Sequence, residues 1–404
     1  MIERVGYLSM HTSPLVQPGV GDAGGMNVYI DELASTMTAR GIQVDVYTRR
    51  DSNGLPDVVG AAGGYRVHHL DAGPHHTVPI RSLARYVSDF ASQVEGRFDG
   101  NPPQIIHSHY WLSGWAALVI KRRTGIPIAN SFHTLGRVKD LTRRADEPPE
   151  PLLRIAAEHE VIEEADCVVA STPLEAEDLM VHYRADPTRL CMSPPGVDHR
   201  LFSPGVQVVA RTDLGLDDRP TVLFVGRVQP LKGIDVALAA VNILKEHLPE
   251  VQLLVVGGPS GASGHSEMAR LRSMASAMGN AVRFVEPVPH ADLASFYRAA
   301  DVLILPSRSE SFGLVAVEAQ ACGLPVVAAR TGGLAHVVAD GESGILVDSW
   351  DPHPYADALW RVITDADLSS RLGDGAMEWS ERFSWDATAS RFIELYEGAL
   401  SRVG

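Results

Sequence analysis

Short apolar runs rich in β-branched residues alternate with segments of helical period along most of the chain. In the first half the runs fall at 4–10, 43–48, 65–70, 105–109, 127–132, 167–171 and 190–194, each the length of one strand. Between them apolar residues recur at three- and four-residue spacing over 26–40, 82–98, 111–123, 151–164 and 173–182, which predicts helices. Strands that alternate with helices build a parallel, doubly wound α/β sheet, because a parallel connection needs a crossover long enough to hold a helix. The proline- and glycine-rich stretch 193–205 interrupts the pattern and reads as a linker. The alternation then restarts, with strands at 221–226, 251–257, 282–286, 302–305, 325–329 and 345–347. Its helices fall at 233–247, 266–278, 291–300, 314–321 and 352–363.

Two Rossmann-like domains are expected, 1–203 and 204–384, facing each other across a ligand cleft. A last helix of about 385–404, with Ser384 as its N-cap, has no docking site fixed by its period; the first domain is one option. Length supports the division, since 404 residues exceed one ordinary core. Composition is that of a soluble globular protein, at 45% hydrophobic and 21% charged. A net charge of −15 disfavours nucleic-acid binding. No run of ~18 apolar residues exists, so no membrane span is expected, and the N-terminal residues read as a strand rather than a signal peptide. Cys167, Cys191 and Cys322 stand singly in apolar segments, which predicts reduced, buried thiols and a cytoplasmic location.

Chemistry gathers just after predicted strands, where an open α/β sheet binds ligands. The loop from Ser9 to Gly25 is long and glycine-rich, and Gly24 and Gly25 would let backbone N–H groups approach a phosphate at a helix start. It is not a dinucleotide fingerprint, because no GxGxxG follows the strand directly. In Gly226-Arg227-Val-Gln-Pro-Leu-Lys232-Gly233, two cations five residues apart can clamp a pyrophosphate, arginine as a fork and lysine as a point charge. The segments Ile106-His107-Ser108-His109-Tyr110-Trp111 and Phe132-His133-Thr134-Leu135 put histidines at strand ends, where they can bond sugar or phosphate oxygens. His107 and His109 are expected on opposite faces of their strand, and so not on one metal. The stretch Arg308-Ser-Glu310-Ser-Phe312-Gly313-Leu314 opens a helix that carries Glu318; two carboxylates beside helix N–H groups suit a ligand rich in hydroxyls. Gly332 and Gly333, after the next strand, are expected to expose backbone in the same way. No Gly-x-Ser-x-Gly elbow or Gly-x-x-x-x-Gly-Lys-Ser/Thr loop is present. The one Asp-x-Asp, Asp365-Ala-Asp367, sits in a charged helical stretch and reads as a solvated face.

Together, Glu310 to Glu318 and Gly226 to Gly233 resemble the signature and diphosphate clamp of family-four retaining glycosyltransferases of the two-domain GT-B fold. The loop Gly21–Tyr29 and the string His107–Gly114 are similar to those of inositol-phosphate N-acetylglucosaminyltransferases of mycothiol synthesis and, more distantly, of sucrose-phosphate synthases. The resemblance implies a nucleotide-sugar donor, with UDP as the expected base and GDP as the alternative. Arg227 and Lys232 would hold its diphosphate and Glu318 its ribose. Glu310 and the backbone of Phe312, Gly313 and Leu314 would hold the sugar, with His133 and Gly25 beside the leaving phosphate. It further implies retention by same-face attack, no metal or other cofactor, and Glu310 as a positioning carboxylate rather than a covalent nucleophile. A homodimer is an expectation carried by the resemblance alone.

The acceptor side departs from the relatives. Asn27, Tyr110, Thr134 and Arg154 stand at acceptor-contacting places, but Ile80 stands where the phosphate-binding members carry a lysine. Arg81 is adjacent, and on a helix a neighbour points about 100° away. Losing one charged hydrogen bond matters at about 1.5–3 kcal/mol. The expected function is therefore transfer to a small, non-phosphorylated acceptor, as in antibiotic pathways. N-acetylglucosaminyl transfer to inositol 3-phosphate is the alternative. A second departure is Val288, where those relatives have an arginine near the base. A GT-B epimerase or hydrolase, or a non-catalytic nucleotide-sugar sensor, would be readings of another class. Closure of the domains about the 194–204 linker is expected, to exclude water from a labile donor.

Overall fold

The computed structural model describes residues 1–143, 147–261 and 263–403. Among them, fourteen strands form two sheets. The first holds β1 (Arg4–Leu8), β2 (Gln43–Arg49), β3 (Val58–Gly60), β4 (Arg66–Leu70), β5 (Ile105–His109), β6 (Ile128–Ser131), β7 (Cys167–Ala170) and β8 (Leu190–Met192). Their spatial order is β3-β4-β2-β1-β5-β6-β7-β8, parallel except for the edge strand β3. The second holds β9 (Thr221–Val225), β10 (Gln252–Val256), β11 (Val282–Val285), β12 (Val302–Leu305), β13 (Val326–Ala329) and β14 (Gly344–Val347). It runs β11-β10-β9-β12-β13-β14, all parallel. Strands such as β9 and β12 are buried along their whole length, which is why they read as unbroken apolar runs. In each sheet the order reverses beside the first strand, at β1/β5 and at β9/β12. That reversal opens a crevice at the carboxyl ends of the strands.

The last helix, Trp385–Val403, packs on the first domain. Trp385, Ala389, Phe392, Tyr396 and Ala399 form one helical stripe, buried with Tyr7, Tyr29 and Leu33. Burying Phe392 and Tyr396 fully contributes about 1.5–3 kcal/mol each. The chain returns alongside the linker, where Val197 and Ser384 form a parallel bridge. Gly404, the end of the expected helix, lies outside the described residues.

Several local expectations change. The helix expected over 82–98 is a 3-10 turn, Ile80–Tyr86, followed by the helix Val87–Glu95. Strand β3 and the short helices Gly136–Thr142 and Gln207–Asp213 carried no clear period. Asp365 and Asp367 are exposed, as expected, and Asp365 is in addition a helix N-cap whose carboxylate accepts from the Leu368 N–H at 2.9 Å. The expectation of three reduced thiols is corrected as well. Cys167 on β7 and Cys191 on the adjacent β8 form a disulfide with Cα atoms 5.8 Å apart, leaving Cys322 free and buried. Neighbouring parallel strands brought together two cysteines 24 residues apart, which their sequence spacing did not signal.

Candidate active site

A cleft of about 1350 Å³ lies between the two sheets at the carboxyl ends of their strands. Contacts already cross it. Gln17 Nε2 donates to the Pro287 carbonyl at 2.9 Å, Arg227 Nη1 to the Asp22 carbonyl at 3.2 Å, and Ser311 Oγ to the His133 carbonyl.

On the second-domain wall, Arg227 leaves the end of β9 and Lys232 ends a 3-10 turn, Pro230–Lys232. Both line the cleft. Lys232 Nζ donates to Glu310 Oε2 at 2.6 Å, so clamp cation and loop carboxylate meet directly. Gly24 lies against Arg227: a Cβ there would fall 2.9 Å from Arg227 Nε. Gly25 opens the first-domain helix Gly25–Ala39 and faces this wall, where a Cβ on it would lie 3.5 Å from Leu314 Cδ1. Phe312, Gly313 and Leu314 line the cleft at the start of the helix Leu314–Ala321. Gly332 and Gly333 do something other than expose backbone. A Cβ on Gly332 would meet the Glu310 carbonyl at 2.0 Å, and the Gly333 N–H donates to that carbonyl at 2.7 Å. They are the floor that sets the glutamate loop. Glu318 is fixed from both sides, accepting from His290 Nε2 and from the Tyr297 hydroxyl, each at 2.7 Å. Burial alone would lower the His290 pKa, but the Glu318 carboxylate outweighs it and the net shift is upward. Each carboxylate oxygen keeps a second lone pair for a ligand hydroxyl.

On the first-domain wall, Tyr110 (φ 76°) and His133 (φ 59°) both sit in the left-handed region that non-glycine residues avoid. Such positions gather at functional sites. Burial pushes the His133 imidazole down to about 3, so it is neutral at pH 7. His107 and His109 share one face of β5, with ring centroids 4.3 Å apart, contrary to expectation. Residues two apart on a strand point the same way, and the expectation misapplied that alternation. His107 bonds Tyr396 Oη and Ser131 Oγ, while His109 bonds His133. Among the described residues no group of three or more His, Cys, Asp or Glu is placed to hold a metal ion.

The four acceptor candidates separate. Tyr110, Thr134 and Arg154 line the cleft; Asn27 does not. Asn27 is buried as a loop staple: its Oδ1 accepts from the Gly24 N–H, and its Nδ2 donates to Thr12 Oγ1 and the Ser13 carbonyl. Arg154 is 2% exposed. Its guanidinium donates to Glu158, Glu150 and Thr134 and lies 5.1 Å from the Tyr110 ring centroid. Lys139 donates to Glu150 at 2.5 Å. Ile80 and Arg81 both line the cleft. The tight 3-10 turn does not carry Arg81 away from the wall, as an α-helical step had suggested. Arg81 is exposed, and no described hydrogen bond or ion pair holds its side chain. His290, Tyr297, His109 and Ser311 were not assigned these contacts. His109 and Ser311 stand in motifs noted above, the strand-end histidines and the glutamate loop; His290 and Tyr297 meet Glu318 only through contacts distant in the chain.

Residues 24–196 match the model of the glycosyl transferase 4-like domain, and residues 209–379 match that of glycosyl transferases group 1. A D-inositol 3-phosphate glycosyltransferase of Stackebrandtia nassauensis is 44% identical over 99% of this chain and 92% of its own length. D-inositol 3-phosphate glycosyltransferase 2 of Catenulispora acidiphila is 46% identical over 98% and 95%. Among solved structures, sucrose-phosphate synthase from Thermosynechococcus elongatus superposes with a TM-score of 0.92 at 32% identity, covering 99% of this chain and 100% of that one. Anabaena HepE in complex with UDP and glucose shares the fold, with a TM-score of 0.77 at 18% identity and coverage of 98% and 99%. The chain belongs to the glycosyl transferases group 1, in the two-domain GT-B fold, and is a glycosyltransferase.

Proposed function

We propose that this glycosyltransferase moves a sugar from a nucleoside-diphosphate donor to D-inositol 3-phosphate, with retention and without a metal. The observation that carries the acceptor is the end-to-end match, at 43–46% identity, to relatives that bear that name. It outweighs the unphosphorylated acceptor expected from Ile80. The wall supports it too, because the cation missing at Ile80 has a neighbour in Arg81, which faces the same cleft. The donor sits against the second domain. Arg227 and Lys232 neutralise the leaving diphosphate, Glu310 and the 312–314 backbone hold the sugar, and Glu318 takes the ribose hydroxyls. Preorganised cations in a water-poor cleft stabilise the charge that develops as the glycosidic bond breaks. Lys232 uses one of its three N–H donors on Glu310, so the others can take diphosphate oxygens while that carboxylate is held toward the sugar. The acceptor hydroxyl then attacks the anomeric carbon on the face the diphosphate leaves, and its proton passes to the departing phosphate oxygen as the bond to that oxygen breaks. UDP is the expected base, and N-acetylglucosamine the sugar to test first.

A second reading, a non-phosphorylated acceptor, is favoured by one observation: Arg154 has already committed four of its five N–H donors, to Glu158, Glu150 and Thr134. Incubation with UDP-N-acetylglucosamine and either inositol 3-phosphate, myo-inositol or small thiols separates the two, by the mass of the product. A glycosylated inositol phosphate is expected, and a product from the unphosphorylated acceptors only would overturn the proposal. Fast release of UDP from donor alone would point instead to a hydrolase or epimerase.

A further inference from the structure

His109 Nδ1 and His133 Nε2 lie 3.0 Å apart, so one proton sits between two ring nitrogens. Both imidazoles are neutral at pH 7, because burial holds them far below the ordinary histidine range. Each ring therefore carries one proton, and two arrangements remain. If His133 donated from Nε2, the proton of His109 would sit on its Nε2. That nitrogen is buried and has no partner among the described residues, so an N–H would be orphaned there. If His109 donates from Nδ1, only a lone pair is left unpaired at its Nε2. Orphaned buried N–H groups are rarer than under-satisfied acceptors. The second arrangement also places the remaining proton of His133 on Nδ1. Among the described residues that atom has no hydrogen-bond partner, it is not among the buried unpaired atoms, and His133 lines the cleft.

We infer that His109 is a positioning residue: its Nδ1–H locks His133 in the tautomer that presents an Nδ1–H donor to the cleft. Tyr29 holds both rings edge-on, at 5.7 Å from His109 and 5.0 Å from His133, and Tyr7 adds a further edge contact to His109. His133 then offers a hydrogen bond and no basic lone pair at the cleft. What it binds is an oxygen of the diphosphate or of the transferring sugar, an assignment that rests on the function proposed above.

Nitrogen NMR of histidine-labelled protein reads the tautomer without any turnover, so failure of the proposed reaction does not blur the result. The His133 signals, assigned with a His133→Gln variant, are expected to show a protonated Nδ1 and a bare Nε2. Protonation on Nε2 overturns the inference. His109→Phe keeps a ring but removes the donor. It is expected to mix the His133 tautomers and to lower kcat by roughly tenfold or more. His109→Asn, whose amide places an N–H where Nδ1 stood, is expected to keep the Nδ1–H signal and lose several-fold less. An unchanged His133 tautomer in folded His109→Phe would equally overturn it.

Discussion

Replacing Lys232 with methionine keeps the aliphatic stem and removes the charge. In the free protein its ammonium rests on Glu310 at 2.6 Å, with the two side chains 18% and 22% exposed. In the proposed catalysis its remaining N–H donors also hold the donor diphosphate. A charged hydrogen bond is worth about 1.5–3 kcal/mol. At ~1.4 kcal/mol per factor of ten, Lys232→Met should lower donor kcat/KM by about 10- to 150-fold. The left-over Glu310 carboxylate, unneutralised beside an anionic donor, pushes the loss toward the upper end. Global stability should hardly move, since a partly solvated pair is worth about 1 kcal/mol or less. Steady-state transfer at saturating acceptor gives the first quantity and a melting curve without ligand the second. Arg227→Ala should lose at least as much, because a bidentate fork goes with the charge. If both variants keep kcat/KM within about threefold of wild type, the clamp is wrong, since a surviving barrier of that size leaves no role for either cation.

Three further outcomes follow from single contacts. Gly24→Ala puts a Cβ 2.9 Å from Arg227 Nε at an ordinary extended φ of −166°. It should therefore weaken UDP binding by about tenfold, by calorimetry, with the melting temperature little changed. Arg81→Ala should raise the KM for inositol 3-phosphate by about tenfold or more and leave UDP affinity alone; equal KM values would take Arg81 out of the acceptor site. Glu32 concerns pH. Burial lifts its carboxyl from an ordinary 4.5 to about 7, helped by Asp31, Asp198 and Glu318 and opposed by His290. The unfolded chain sheds that proton between 4.5 and 7 while the fold retains it, so stability falls as pH rises through this window. The cost is full above about 7 and reaches up to about 3 kcal/mol. Glu32→Gln should thus melt higher than wild type at pH 8 and show no such gain at pH 4; an equal difference at both would exclude the linkage.

Much of the fold was legible because buried parallel strands announce themselves as continuous apolar runs, and their ends mark where ligands go. Arg227, Lys232, Glu310 and Glu318 follow from that logic, and each has a place at the cleft wall or beside it. What period cannot carry is which side chains meet across elements. The bonds from Asn27 to Thr12 and Ser13, the floor under Glu310 made by Gly332 and Gly333, and the His290 and Tyr297 supports of Glu318 all join residues brought together only by folding. So does the Cys167–Cys191 disulfide. The misplacement of His107 against His109 is different, because strand geometry alone would have put both on one face. Arg81 shows the limit of assuming an α-helix. Its reach depends on a turn type that an apolar period does not distinguish.

The acceptor is the centre of the account, and the ratio of kcat/KM for inositol 3-phosphate over myo-inositol, with one nucleotide-sugar donor, tests it most directly. A cationic wall that recognises the phosphate predicts a preference of about 100-fold or more for the phosphorylated acceptor. A ratio at or below one would contradict it and return the cleft to an unphosphorylated substrate.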